Sequence, residues 1–156
     1  MKQRNFLRIY QIILIILLTF WCIGMISPVI FQNEHSYLIA KPFLNQIYST
    51  VCHQQEHKTI NVGEDKILVC SRCAGIYFGV WIAAILSLFV LPKKHSFDFL
   101  ILTFILLLFD VALAYIRIYN YSKLTAAITG LLFGSSVLLF LVNELHHNKF
   151  LVKHEK

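Results

Sequence analysis

The sequence predicts an all-α fold: a four-helix transmembrane bundle with a short amphipathic helix and a Cys-rich extracytoplasmic loop. Three observations carry this. The 156 residues are 58% hydrophobic and only 14% charged, against roughly half and about a quarter in soluble domains. The mean hydropathy is +0.68. Four apolar stretches each reach the roughly 20 residues needed to cross about 30 Å of hydrocarbon. The stretches are continuously apolar rather than alternating, and within lipid a helix satisfies its own backbone. The length suits a single integral membrane domain. The net charge of +6 is not concentrated in a basic, aromatic-interleaved patch, so nucleic acid is not an expected partner.

Span one is expected over about 7–27, with Pro28 ending it. Lys2, Arg4 and Arg8 precede it as in a signal peptide. Its apolar run is too long for a signal core, and no small-residue cleavage site follows. Span two is expected over about 73–91, stopped by Pro92, span three over about 97–119, and span four over about 124–145. Glu144, His146, His147, Lys149 and His154 then read as a solvated, frayed tail, and His95 as a solvated residue between spans two and three.

Lys2, Arg4, Arg8, Lys93, Lys94, Lys149, Lys153 and Lys156 fall on one side of such a bundle. The positive-inside rule places that side, with both termini, in the cytoplasm of a cell (inner) membrane. The loop 28–72 then faces outward. Within it Pro42 reads as the first residue of a short helix. Phe43, Ile47 and Val51, and likewise Leu44 and Tyr48, repeat every four residues. Such a helix lies on the bilayer surface or packs against the bundle. The polar run from His57 to Asp65 reads as a turn or hairpin.

Three of the four cysteines fall at this end: Cys52, then the pair in Cys70-Ser71-Arg72-Cys73. Three chemistries suit them. In the first, Cys52, Cys70 and Cys73 bind a metal, zinc by ligand preference, with His53 or His57 as fourth ligand. A site closed by four protein ligands would be structural, and one with only three could activate water for hydrolysis. In the second, Cys70 and Cys73 exchange disulfides, their thiols acidified by Arg72 and a helix N-terminus. In the third, the cysteines form a structural disulfide, with Cys22 as a further partner. Gly75, just after the pair, would suit the tight backbone of a metal knuckle.

The string Cys52-His53-Gln54, followed by Cys70-Ser71-Arg72-Cys73-Ala74-Gly75-Ile76-Tyr77-Phe78-Gly79, resembles a family of small prokaryotic integral membrane proteins, domain of unknown function 2085. Lys58-Thr59 stands where that family carries Arg-Ser. Asp110 and the segment Thr129-Gly130-Leu131-Leu132-Phe133-Gly134 also match, while Ala126 occupies a place where Arg is usual. The resemblance implies an integral membrane protein and no established activity.

Asp110 lies inside span three, where a charge costs about 2.5–3.5 kcal/mol on insertion scales. It should face the bundle interior and find a donor, with Arg117, Tyr115 and Thr129 as candidates. It is a candidate catalytic group, as a proton relay or a carboxylate supporting the outer site. Lys58, Arg72 and Arg117 are available to hold an anionic lipid head group or lipid-linked substrate in a surrounding of membrane lipids. The glycine pairs Gly75/Gly79 and Gly130/Gly134 have the spacing that lets membrane helices approach closely. The resulting expectation is a zinc-binding membrane protein, with metal-dependent hydrolysis as its natural reaction. A membrane thiol–disulfide oxidoreductase and a non-enzymatic structural or partner-binding protein stand as alternatives.

Overall fold

The computed structural model describes the backbone of residues 2–31, 35–62, 65–89, 96–116 and 121–154. The element order is α1 (Lys2–Ile30), α2 (His35–Ser49), β1 (Thr59–Val62), β2 (Asp65–Cys70), α3 (Ser71–Phe89), α4 (Ser96–Tyr115) and α5 (Lys123–His154). Four stretches are long and apolar enough to cross a membrane: Arg8–Ile30, Ser71–Phe89, Phe97–Tyr115 and Lys123–Leu145. Pro92, Lys93, Lys94, His95, Glu34 and Arg117 lie outside the described residues.

Two proline expectations are corrected. Pro28 does not end α1, which runs on to Ile30. Proline cannot donate to the carbonyl of Gly24, but the Ser27 hydroxyl does so at 2.6 Å, so that carbonyl is not orphaned. Phe31 N–H then bonds the Ser27 carbonyl at 3.0 Å and prolongs the turn. Pro42 does not open α2, which begins at His35 and carries the proline inside. Pro42 is exposed, so its ring sits on a side of the helix turned away from the core.

The helix α2 divides its two apolar stripes. Leu44 and Tyr48 pack into the core with Met25, Leu68 and Val69, while Phe43 stays 69% exposed. Tyr48 stacks against Trp21, ring centroids 4.8 Å apart, and donates its hydroxyl to the Trp21 carbonyl at 2.7 Å. Gly24 makes this possible, because a Cβ there would sit 2.6 Å from the Tyr48 oxygen. The expected hairpin is present, with β1 antiparallel to β2 and Thr59 paired with Cys70. The tail is not frayed at its start: α5 continues as helix to His154.

The centre of the bundle is the α3–α5 contact. A Cβ at Gly75 would collide with the Ala127 carbonyl oxygen, and one at Gly79 with that of Leu131. From the other helix, Gly130 faces the Arg72 carbonyl and Gly134 the Ile76 carbonyl. Gly75 therefore serves helix packing, where the backbone of α5 leaves no room for a side chain, and not only the turn after the cysteines. In lipid, helices gain little from excluding water, and close backbone approach supplies the attraction instead. Farther along, Thr103 of α4 and Ser136 of α5 share a hydrogen bond of 2.7 Å. Trp81 Nε1 donates to the Thr19 hydroxyl at 2.9 Å, joining α3 to α1. The outer sides of α1 and α4 expose residues such as Leu17, Phe20, Leu102 and Phe109, as lipid-facing helices do.

Candidate metal centre

The site forms where the hairpin runs without a break into α3. Cys70 is the last residue of β2, and Cys73 lies in the first turn of α3. The third thiol comes from the segment between α2 and the hairpin. The ligand atoms of Cys52, Cys70 and Cys73 all lie within 4.8 Å of one another. All four cysteines are free thiols, and Cys22 is buried in α1 outside this group.

The chain around Cys52 is held by its neighbours. The Cys70 backbone N–H points at Cys52 Sγ, 3.2 Å away, as second-layer donors do around thiolate ligands. Gln54 takes a left-handed backbone, φ 46°, which carries a strain of order 1 kcal/mol outside glycine. Its side-chain amide donates to the Leu68 carbonyl at 2.9 Å. That bond pins the Cys52 segment to β2 two residues before Cys70. Ser71, fully buried, donates its hydroxyl to the Lys58 carbonyl at 2.8 Å. This tie sets Lys58 beside Arg72.

Cys70 is held well below the usual thiol range, at about 5. A hydrogen bond from the Cys73 thiol is the largest cause, working against burial and helped by the Cys73 backbone N–H and the Cys52 side chain. The cluster thus favours one thiolate, at Cys70, of the kind that a cation-binding site requires. A cavity of about 380 Å³ opens onto the sulfurs, with Cys52, Cys70 and Cys73 in its wall beside His53, Lys58 and Arg72.

The two histidine candidates separate. His53 is exposed and borders this cavity, but its ring nitrogens do not join the converging group. His57 borders a second cavity, of about 370 Å³, on the other side of Lys58 and Arg72. The polar wall of that cavity is His57, Lys58, Arg72, Tyr115 and Tyr121, and Val111 and Ala114 of α4 close the apolar side. Lys58 Nζ lies 5.7 Å and the Arg72 guanidinium 6.0 Å from the Tyr121 ring centroid, within reach of a cation–π attraction. Burial raises the Tyr121 phenol above its ordinary value.

Asp110 is buried and pairs with Arg72 across 2.5 Å. Neither Tyr115 nor Thr129 takes the role expected of it: Tyr115 is 87% exposed, and the Thr129 hydroxyl turns back to the Thr125 and Ala126 carbonyls. Arg72, expected only as an activator and anion holder, is thus also the partner of the membrane acid. Tyr121 was not singled out by its sequence, since a tyrosine after a span has the look of an interface aromatic.

A family described as "Predicted membrane protein (DUF2085)" matches residues 52–140, the stretch that holds the three cysteines, Asp110 and all four packing glycines. An "Uncharacterized protein MJ1492" of Methanocaldococcus jannaschii is 26% identical over 143 residues, covering 85% of this chain and 90% of its own. No solved structure matches the chain.

Proposed function

We propose that this chain, which belongs to the DUF2085 family of predicted membrane proteins, holds one zinc ion between Cys52, Cys70 and Cys73, with the fourth position open to a small ligand. The observation that carries this reading is the convergence of three sulfurs from separate segments, with no histidine, aspartate or glutamate completing the group among the described residues. Thiolates suit zinc, and an acidified Cys70 beside a Cys52 sulfur that accepts a backbone N–H fits a cluster that already favours one thiolate ligand.

Zinc with three protein ligands lowers the pKa of water at its open position and so supports hydrolysis. The chain's own residues would then position a substrate: Lys58 and Arg72 border the cavity over the sulfurs, and Asp110 holds Arg72 in place. The Lys/Arg bias puts this end on the outer face of the cell membrane, where an anionic lipid or lipid-linked ester would be the substrate. His53, at the cavity edge, is the better placed of the two histidines to close the site on rearrangement.

Elemental analysis of the purified full chain tests this. About one zinc per chain is expected, falling towards zero in Cys52→Ser, Cys70→Ser and Cys73→Ser. Metal-free protein carrying a Cys70–Cys73 bond that dithiothreitol opens would replace it with the second reading, thiol–disulfide exchange. The acidified Cys70 beside Cys73 is the observation that keeps that reading in view.

A further inference from the structure

We propose that the second cavity, between the turn that precedes β1 and α4, is a phosphate-binding site in which Lys58, Arg72 and Tyr121 hold the phosphate of a membrane lipid or of a soluble phosphate. As a substrate assignment this rests on the zinc reading above. As a binding site it stands without it.

The polar wall is made of donors. Lys58, Arg72, His57 and Tyr121 face the cavity, and no carboxylate lines it among the described residues. Two of those donors are buried and have no acceptor: Arg72 Nε and the Tyr121 hydroxyl. Ser71 lies close to the phenol, but its hydroxyl donates to the Lys58 carbonyl and makes no hydrogen bond with Tyr121. Native structures seldom leave buried donors unpaired, and when they do an unseen acceptor is the first explanation. Asp110 takes only the Arg72 Nη2 edge, leaving the Nε side of the fork for a second anion. Lys58 has no carboxylate partner among the described residues, in contrast to Lys66 of β2, which Glu56 holds at 2.6 Å. A tetrahedral oxyanion offers several acceptor oxygens to an ammonium, a guanidinium edge and a phenol at once.

The surroundings suit a phosphate attached to something larger. The volume of about 370 Å³ falls in the range of small-molecule sites. Val111 and Ala114 of α4 form its apolar side, so acyl chains could leave along a membrane-spanning helix. Lys58 and Arg72 border both this cavity and the one over the sulfurs. A phosphate seated here is therefore one side chain away from the metal cluster.

Native mass spectrometry of the detergent-solubilised full chain, titrated with dioleoyl phosphatidic acid and with dioleoylglycerol, which has the same chains and no phosphate, tests the proposal. Phosphatidic acid should bind about tenfold tighter or more, and Lys58→Ala and Tyr121→Phe should each weaken it by about tenfold or more, the effect of losing one charge-assisted hydrogen bond. Lys66→Ala should leave it unchanged. Equal affinity for the two lipids overturns the proposal, as does a selectivity that survives both Lys58→Ala and Tyr121→Phe or falls equally with Lys66→Ala. Competition by millimolar inorganic phosphate separates the sources: full displacement assigns the site to a soluble phosphate, and its failure to displace assigns it to a lipid head group. Tyr121→Phe keeps the ring and its packing, so its loss of affinity reads the hydroxyl alone. Zinc measured on the same samples separates the two readings. Phosphate selectivity without zinc leaves this site standing and removes the metal. Zinc without selectivity does the reverse.

Discussion

Within its first nine residues α3 is held in two opposite ways. Along its side, Gly75 and Gly79 meet Ala127 and Leu131 of α5 backbone to backbone, with nothing polar exchanged beyond the carbonyls they touch. At its N-terminus, Ser71, Arg72 and Cys73 are held by a hydroxyl–carbonyl bond, an ion pair and a thiol cluster. The first contact has no spare chemistry, since every atom is committed to close approach. The second holds groups that are charged, acidified or unpaired. The difference shows where a small membrane protein can keep reactivity: at the end of the bundle, where polar groups find partners, on a helix whose flank is fixed by shape alone.

The largest effect should come from breaking the shape contact. Gly79→Leu drives a side chain into the Leu131 carbonyl, and backbone cannot step aside as a side chain would. A cost of about 3 kcal/mol or more is expected, read as loss of monodisperse protein in size-exclusion chromatography. Next is the charge contact. Arg72→Met removes the guanidinium paired with the buried Asp110 carboxylate, and breaking a buried ion pair should cost about 3–5 kcal/mol. Adding Asp110→Asn should recover much of that in thermal unfolding, whereas an additive double mutant would mean that the pair is not coupled.

The reactivity contrast is sharpened by alkylation. In metal-stripped protein the Cys70 rate with iodoacetamide should rise with pH through a midpoint of about 5 and be flat by neutrality. An ordinary thiol, at about 8.5, is still climbing there. Buried Cys22, within α1, should stay unmodified in the folded protein. Zinc added first should protect Cys70. A Cys70 midpoint near the ordinary value would remove the acidified thiolate from the site. The smallest effect belongs to Thr103→Val, which removes the hydrogen bond to Ser136 within the bundle. About 0.6 kcal/mol is the usual worth of such a bond between membrane helices, visible only as a small shift in unfolding midpoint.

Four spans, a hairpin and the Cys70/Cys73 pair follow from composition, periodicity and spacing, because these are local properties of the chain, while Cys52, 18 positions from Cys70, joins the pair only through the fold. Lipid imposes helices on long apolar runs, and a Cys-x-x-C pair at a strand–helix junction meets itself within one turn. The glycine spacing likewise announces a close contact before its partner is known. Local rules were less reliable at the prolines. Pro28 and Pro42 are breakers by propensity, yet a neighbouring hydroxyl in one case and an exposed helix side in the other keep the helices going.

Tertiary structure alone decided which groups share a site. Asp110 and Arg72 are 38 positions apart, and nothing in their local sequence pairs them. Tyr121, 49 positions from Arg72, lines the basic cavity with it, and His53 and His57 part to different cavities although they are four residues apart; the Ser71–Lys58 bond and the Thr59–Cys70 register tie the segment between them to α3 and β2. Helix formation and sulfur spacing are set by neighbours along the chain, while the partner of a buried charge is set by which helices pack together, and that depends on the whole molecule.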